Sequence, residues 1–166
     1  PSSRTSSSSF TVAANSGALV RSGYTFASWN TAANGSGTTY TAGSSTLTMT
    51  ANTTLYAQWT ASQLTVITDE QGGSAIDSVS TTTGGTISSS PGTPTRSGYT
   101  FNGWFIASSG GSALTFPYTH NQTANFTLYA QWTANTLTVT TDEQGGSAIN
   151  NLSAVTGGTI STSPGA

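Results

Sequence analysis

The segment that decides the fold is Gly98-Tyr-Thr-Phe-Asn-Gly-Trp104, which also occurs earlier in the chain as Gly23-Tyr-Thr-Phe-Ala-Ser-Trp29. Aromatic and polar residues alternate in the later copy from Tyr99 to Asn102, and alternation with a period of two is typical of a half-buried β-strand. In the later copy the alternation ends at Gly103, where Trp104 falls out of step. The pattern therefore predicts a strand over Tyr99–Ile106 that contains a β-bulge at the glycine.

Two further segments recur, and their spacing gives the length of a repeat. Thr54–Thr60 returns as Thr127–Thr133, and Thr68–Ile76 returns as Thr141–Ile149, in both cases 73 positions later. Self-similarity at a fixed period is the signature of a repeat protein. The first repeat begins with a Ser-rich stretch, Ser2–Ser9, which we interpret as a linker. The spacing predicts a partial repeat, a complete repeat and the N-terminal half of a further repeat, over residues 1–61, 62–134 and 135–166.

The complete repeat contains further strand signals and no long helical period. Leu64–Ile67 and Phe126–Trp132 are apolar or alternating, and Thr86–Ser88 is a short run of strand-forming character. Ala75–Val79 fits either a short strand or a single helical turn, and one short helix is allowed for without a fixed position. The expected fold class is therefore mainly β.

The carboxylates do not form a pattern that points to chemistry. A Ca²⁺ site needs several carboxylates, and each copy of the turn has only an adjacent Asp-Glu pair. Adjacent side chains on an extended chain point apart, which argues against a two-carboxylate hydrolase. We predict a solvent-facing turn over Asp69–Gly73 in which Gly72 and Gly73 take positive φ. Weak metal binding at a repeat junction is the alternative. The carboxylates are Asp69, Glu70, Asp77, Asp142 and Glu143.

The composition excludes several classes of protein. Only 5% of the residues are charged, the formal net charge is −2, and more than a third of the chain is Ser or Thr. Three arginines without a lysine are too few for an electrostatic nucleic-acid binder. The absence of cysteine excludes disulfides, thiolate metal sites and cysteine nucleophiles. No apolar run reaches the roughly 20 residues of a membrane helix, so we expect no membrane insertion. The clustered aromatic residues argue for a packed core rather than disorder.

The repeated motifs resemble those of the internalin-type B-repeat family, also called the Listeria–Bacteroides repeat. The family's Gly-Tyr-Thr-Phe-x-Gly-Trp core is present as Gly98–Trp104 and its closing Thr-Leu-Tyr-Ala-Gln-Trp as Thr127–Trp132, while Ser28 stands at the second glycine of the first copy. The resemblance implies small β-grasp-like modules in an elongated tandem array. It also implies a place on secreted or wall-attached bacterial proteins, as stalks, spacers or weak adhesive units. No catalytic residue belongs to the motif, so we assign no catalytic, cofactor-binding or metal-binding residue.

The single histidine, His120, lies in the polar segment 118–122, and its counterpart in the first copy is not histidine. A Ser-His-Asp triad would need a nucleophile on a sharp turn, and no Gly-x-Ser-x-Gly motif supplies one. We predict a surface histidine.

Arg21 and Arg96 precede Gly-Tyr at equivalent positions. We expect each side-chain stem to cover an aromatic ring and each guanidinium to pair with the turn that contains Asp69. Contact with a carboxylate ligand or a glycan is the functional alternative.

The recurrent aromatic residues fit either a core or a sugar-stacking platform. A module of this length needs most of its large apolar groups inside to be stable, which favours the core. We expect Tyr56 and Tyr129 to be the more exposed ones. The set comprises Tyr24, Phe26, Trp29, Tyr56 and Trp59 with their copies Tyr99, Phe101, Trp104, Tyr129 and Trp132.

Acceptor sequons for N-glycosylation are frequent in this Asn- and Thr-rich chain. If the source glycosylates, they are expected at the surface. They lie at Asn34, Asn52, Asn121, Asn125 and Asn151.

The two partial repeats suggest a mode of assembly. Residues 1–61 have no counterpart of Leu64–Ile67, whereas residues 137–166 supply that segment without a second half. The C-terminal half-repeat of one chain can therefore complete the N-terminal half-repeat of another, and such non-closing strand addition builds a filament. The alternative is a segment taken from a longer repeat array.

The sequence thus predicts a non-enzymatic, extracellular or cell-surface repeat segment of a bacterial surface or filament protein. Its role is structural or adhesive, and it needs no cofactor. Self-association is the expected partnership, with a glycan or a host or matrix surface as a further partner, and no nucleic acid. A carbohydrate-binding module of a secreted protein is the alternative function.

Overall fold

The computed structural model describes residues 8–15 and 19–162, and every regular element among them is a β-strand. The mainly β expectation is confirmed, whereas the short helix is not found among these residues. Residues 75–78 are irregular, and a strand begins only at Val79. The strands are β1 Ser8–Thr11, β2 Tyr24–Asn30, β3 Thr39–Tyr40, β4 Thr46–Met49, β5 Tyr56–Ala61, β6 Gln63–Asp69, β7 Val79–Thr82, β8 Thr86–Ile87, β9 Tyr99–Phe105, β10 Tyr118–Thr119, β11 Phe126–Ala134, β12 Thr136–Val139 and β13 Leu152–Val155.

The complete repeat is built on a four-stranded mixed sheet with the order β7-β6-β11-β9. Strands β6 and β11 run parallel, whereas β11 and β9 run antiparallel. Parallel neighbours need a long connection, and here most of the repeat forms that connection. The first and last strands of the repeat therefore lie side by side at the centre of the sheet.

The core of the complete repeat lies on one face of this sheet. Val66 of β6 and Leu128 of β11 are completely buried, as is Ala130. Burying a side chain such as Leu or Val stabilises a fold by about 1.5–3 kcal/mol. Trp104 packs in the same cluster with Ile87, and its indole Nε1 donates a hydrogen bond of 2.8 Å to the carbonyl of Gly92. The alternation predicted for β11 is therefore confirmed.

A β-bulge interrupts the aromatic strand in both copies. In β9 the extra residue is Asn102, directly before Gly103, which has φ 122°. In β2 the extra residue is Ala27, directly before Ser28. The bulge predicted for the later copy is confirmed, and the first copy keeps it without the glycine.

The first repeat has a three-stranded sheet of order β3-β2-β5 and a separate antiparallel pair, β1 with β4. Of the predicted linker, residues 2–7 lie outside the described residues. The linker prediction is wrong for Ser8 and Ser9, which belong to β1 because the strand pairs with β4 beside the buried Leu47.

The chain divides into two compact units. One contains the described residues up to Leu64 together with residues 81–85 and 120–124, and the other contains the remaining described residues. The repeat boundaries inferred from the sequence do not coincide with this division and stay a prediction.

Candidate functional site

One contact occurs in both compact units: it joins the Arg-Ser-Gly-Tyr turn to the start of the following repeat sequence. In the first compact unit, the Gly23 carbonyl accepts hydrogen bonds from the Ser62 backbone N–H at 2.9 Å and from the Thr83 hydroxyl at 2.6 Å. The Thr83 backbone N–H donates in turn to the Ser62 carbonyl at 2.9 Å. Because Thr83 is buried, these bonds replace hydration that its polar groups lose.

The second compact unit repeats the two backbone bonds of this contact, but its threonine hydroxyl donates to a different carbonyl. The Asn135 N–H donates to the Gly98 carbonyl, and the Thr156 N–H donates to the Asn135 carbonyl, both at 2.8 Å. The Thr156 hydroxyl donates to the Asn135 carbonyl at 3.2 Å. We call this set of bonds the junction tie.

Glycine is required in the junction tie for two independent reasons. Gly23 and Gly98 have φ of 75° and 77°, a region that residues with a side chain rarely adopt. A Cβ on Gly98 would also lie 2.6 Å from the methyl carbon of Thr156, and one on Gly23 would lie 2.7 Å from the Thr83 hydroxyl. Sequence reasoning missed the junction tie, although the shared 73-residue spacing of Ser62 with Asn135 and of Thr83 with Thr156 was available as a signal.

Arg21 and Arg96 pack on aromatic rings, as predicted. The guanidinium carbon lies 3.8 Å from the ring centroid of Tyr24 for Arg21 and of Tyr99 for Arg96. The Arg96 guanidinium also lies against Gly72, where an added Cβ would be 3.6 Å from the guanidinium carbon. Arg96 therefore reaches the turn that contains Asp69 at Gly72, and a polar pairing of its guanidinium with this turn stays a prediction.

The carboxylates of the turn hold the turn itself. Asp69 accepts a hydrogen bond from the Gln71 N–H, and Glu70 accepts one from the Ile76 N–H at 2.9 Å. Burial raises the pKa of Glu70, but the hydrogen bonds from Ile76 and Thr68 outweigh it and hold that pKa below its usual range.

The second copy of the turn uses its acidic residues in the same way. Glu143 accepts hydrogen bonds from the Thr141 hydroxyl and the Ile149 N–H, and these lower its pKa. Asp142 accepts one from the Gln144 N–H. Over residues 8–15 and 19–162, no three His, Cys, Asp or Glu side chains come together as a metal site.

The prediction of positive φ at Gly73 is wrong. The two residues with positive φ are Gln71 at 48° and Gly72 at 87°. Position 73 requires glycine for a different reason, because a Cβ there would lie 2.5 Å from Cζ2 of Trp132. The Trp132 indole Nε1 donates to the Glu70 carbonyl at 2.9 Å. We call the Glu70 carbonyl and Gly73 together the tryptophan seat.

The prediction of a surface histidine is wrong, because His120 is only 5% exposed. It occupies the position of the buried Leu47 of the first repeat, since the pair Thr86–Thr119 corresponds to Thr11–Thr46. Its Nδ1 accepts a hydrogen bond from the Gln122 N–H, which leaves the proton on Nε2, 3.3 Å from the Thr81 hydroxyl. Burial lowers the pKa of His120 because the imidazolium loses hydration.

The remaining surface predictions follow the burial pattern. All five sequon asparagines are exposed, and Asn125 also accepts a hydrogen bond from the Thr65 N–H at 2.8 Å. Of the two tyrosines expected to be the more exposed ones, Tyr56 is exposed and Tyr129 is half-buried. Over the part of the chain that the structure describes, no helix is long and apolar enough to cross a membrane.

Comparison with known proteins places these features in a family. The model of the Listeria-Bacteroides repeat domain matches the chain twice, at residues 3–58 and 65–131. A protein described as a Gly-rich membrane protein from Evansella cellulosilytica is 36% identical over 142 residues, which is 86% of this chain and 16% of that protein. Internalin H of Listeria monocytogenes is 36% identical over 118 residues, which is 71% of this chain and 21% of internalin H.

The chain thus spans about a fifth or less of the length of these curated relatives. The two family matches together cover well over half of its own residues, include both copies of the aromatic motif and extend into both closing strands. The chain therefore belongs to the Listeria-Bacteroides repeat domain family.

Proposed function

We propose that the chain is a non-catalytic structural or adhesive repeat segment of a secreted or cell-surface bacterial protein, and that its half-repeats join head to tail with those of further copies. We also propose that the complete repeat is β-grasp-like. Support for this comes from its four-stranded mixed sheet, in which the first and last strands run parallel at the centre.

The observation that carries the assembly proposal is a difference in length between equivalent strands. β11 has nine residues, and its first part pairs with β6 from Phe126 opposite Val66 to Tyr129 opposite Asp69. Its counterpart β5 has six residues and begins only at Tyr56. The counterparts of Phe126–Leu128 are residues 53–55, which lie outside β5. The first repeat thus lacks strand structure at three of the four positions that form the parallel ladder of the complete repeat.

The C-terminal half-repeat shows the reciprocal difference. β6 has seven residues, whereas its counterpart β12 has four and ends at Val139. Leu137 and Val139 are 55% and 45% exposed, although their counterparts Leu64 and Val66 are 5% and 0% exposed. The complete repeat covers Val66 with Leu128 and Ala130 of the second half. A second half-repeat is therefore the occupant that fits this apolar face.

The register of the complete repeat can be transferred to two copies of the chain. Residues 53–56 of one copy would pair in parallel with residues 139–142 of another, and Leu55 would take the place of Leu128. Val12 is buried in the first repeat as Ile87 is buried in the complete repeat, so the first repeat already has its counterpart of this position. What it lacks are the counterparts of β6 and β7, and residues 135–155 of a neighbouring copy would supply them. The low charge of the chain adds little like-charge repulsion to such an association.

The glycan-binding alternative gains no specific support. Of the ten recurrent aromatic residues, all of which are described, only Tyr56 is exposed. Sugar titrations followed by tryptophan fluorescence are expected to give no saturable response, and a saturable response would favour the carbohydrate-binding module.

Sedimentation velocity on the 166-residue chain over a wide concentration range tests the assembly. We expect species larger than the monomer to grow with concentration, because a heterologous contact does not close. A monomer at every concentration would overturn the proposal.

A further inference from the structure

The tryptophan seat of the complete repeat has a second copy further along the chain. Gln144 has φ 49°, as Gln71 has 48°. The Gly146 N–H donates to the Glu143 carbonyl at 2.8 Å, just as the Gly73 N–H donates to the Glu70 carbonyl at 3.0 Å. The second turn therefore has the same backbone as the first.

The two seats differ in what lies on them. A Cβ on Gly73 would collide with the indole of Trp132, whereas a Cβ on Gly146 would meet only atoms of Glu143 among the described residues within 4 Å. Within residues 8–15 and 19–162, no aromatic ring covers the second seat. Its glycine and its carbonyl acceptor are in place for an indole.

Trp59 is the counterpart of Trp132 in the first repeat. It is half-buried, and its ring packs edge-on against Phe26 with centroids 5.7 Å apart. The part of the chain that the structure describes offers no hydrogen-bond acceptor to the Trp59 indole nitrogen, whereas Trp29, Trp104 and Trp132 all donate to carbonyls. Among the described residues, the Trp59 indole N–H thus has no acceptor and the second seat has no ring.

We propose that the seat formed by the Glu143 carbonyl and Gly146 is a binding site for Trp59 of a second copy of the chain. The inference rests on the assembly proposed above and names the contact that fixes its register. The indole donates to the Glu143 carbonyl, and its ring lies on Gly146 as that of Trp132 lies on Gly73.

An anchor of this kind gives the assembly specificity. A parallel ladder of four residues can slip, and a slip by one residue turns every side chain to the opposite face. Only one register brings Trp59 onto Gly146 while residues 53–56 lie opposite residues 139–142. A buried tryptophan with a satisfied N–H is also a typical dominant contact of an interface.

Sedimentation equilibrium of the full chain, wild type against Gly146→Val, tests the site. We expect the valine to weaken association more than tenfold, because its side chain fills the space of the indole. Asn150→Val is the matched control, since it adds the same side chain in the same segment at a position whose counterpart, Asp77, stays exposed in the complete repeat. We expect it to associate like the wild type.

Trp59→Phe provides a second variant that does not alter the turn. It keeps a ring but removes the indole N–H, so we expect association to weaken roughly two- to tenfold, the range for one lost hydrogen bond. Wild-type association that neither Gly146→Val nor Trp59→Phe changes would overturn the site and leave head-to-tail assembly standing. A wild-type chain that stays monomeric would overturn both.

Discussion

Replacing Gly73 with alanine is expected to displace Trp132 from its seat and destabilise the complete repeat. The new Cβ would lie 2.5 Å from Cζ2 and 3.1 Å from Cη2 of the indole, so the ring has to move. The ring is held by its hydrogen bond to the Glu70 carbonyl and by its contact with Phe101, at a centroid distance of 5.4 Å. Movement therefore disturbs the margin of the core as well as the turn.

The size of the effect follows from these contacts. Overpacking of a well-packed site costs about 1–3 kcal/mol, and loss of the indole hydrogen bond adds about 1 kcal/mol. We therefore expect Gly73→Ala to lower the free energy of unfolding by about 2–4 kcal/mol, which is a large part of the stability of a small fold.

Gly146→Ala is the control for the backbone of the turn. Its Cβ would lie 3.1 Å from the Glu143 carbonyl oxygen, close to the 3.2 Å between a Cβ on Gly73 and the Glu70 oxygen, but no indole lies over it among the described residues. Urea unfolding of dilute, monomeric protein, followed by tryptophan fluorescence, gives the difference between the two variants. Equal losses of stability in both, or no loss in Gly73→Ala, would refute the reasoning.

Four further substitutions test other contacts. Burial lowers the pKa of His120, so the unfolded chain binds a proton on this histidine more tightly than the folded chain does. The contribution of His120 to the free energy of unfolding is therefore complete above pH 6.5 and is lost as the pH falls through the folded pKa. His120→Leu, which copies Leu47, should remove the resulting slope in urea-unfolding free energy between pH 7 and about pH 5, and an unchanged slope would contradict the assignment. Thr83→Val should lower the free energy of unfolding by about 1–2 kcal/mol in the same assay, because the hydrogen bond to the Gly23 carbonyl is lost. Thr156→Val should lower it less, because the hydroxyl bond of Thr156 is longer. Equal losses in the two variants would count against the junction tie. Gly98→Ala should cost at least as much as Gly73→Ala, because both its φ and the nearby Thr156 oppose a side chain, and a smaller cost would contradict that reading.

The strands could be predicted from the sequence because their signal is local. Alternation identified β9 and β11, and the break at Gly103 identified the bulge one residue from where it lies. The burial of Leu128 follows from the same period of two. Each of these features depends on neighbours along one strand, and a single sequence records them directly.

The errors concern contacts between segments that are distant in sequence. His120 has polar neighbours along the chain, yet Thr81, on another strand, faces its ring. Gly73 directly follows a glycine with positive φ, so the sequence suggests positive φ for Gly73 as well. The position requires glycine because the indole of Trp132 leaves no room for a side chain. Comparison of the repeats contained a usable signal in one case, since the counterpart of His120 is an apolar residue, Leu47.

Mixing two complementary variants tests the central claim most directly. Leu55→Asp places a charge on the face offered by the first repeat, and Val139→Asp places one on the face offered by the last. Both positions are at least partly exposed in the single chain, so each variant should fold and remain monomeric alone.

Each variant keeps the surface that the other has lost, so an equal mixture can form one intact head-to-tail contact and no more. Sedimentation velocity of the mixture should show a dimer that neither variant forms alone. A mixture that remains monomeric while the wild type associates, or variants that associate like the wild type, would contradict completion of one half-repeat by the other.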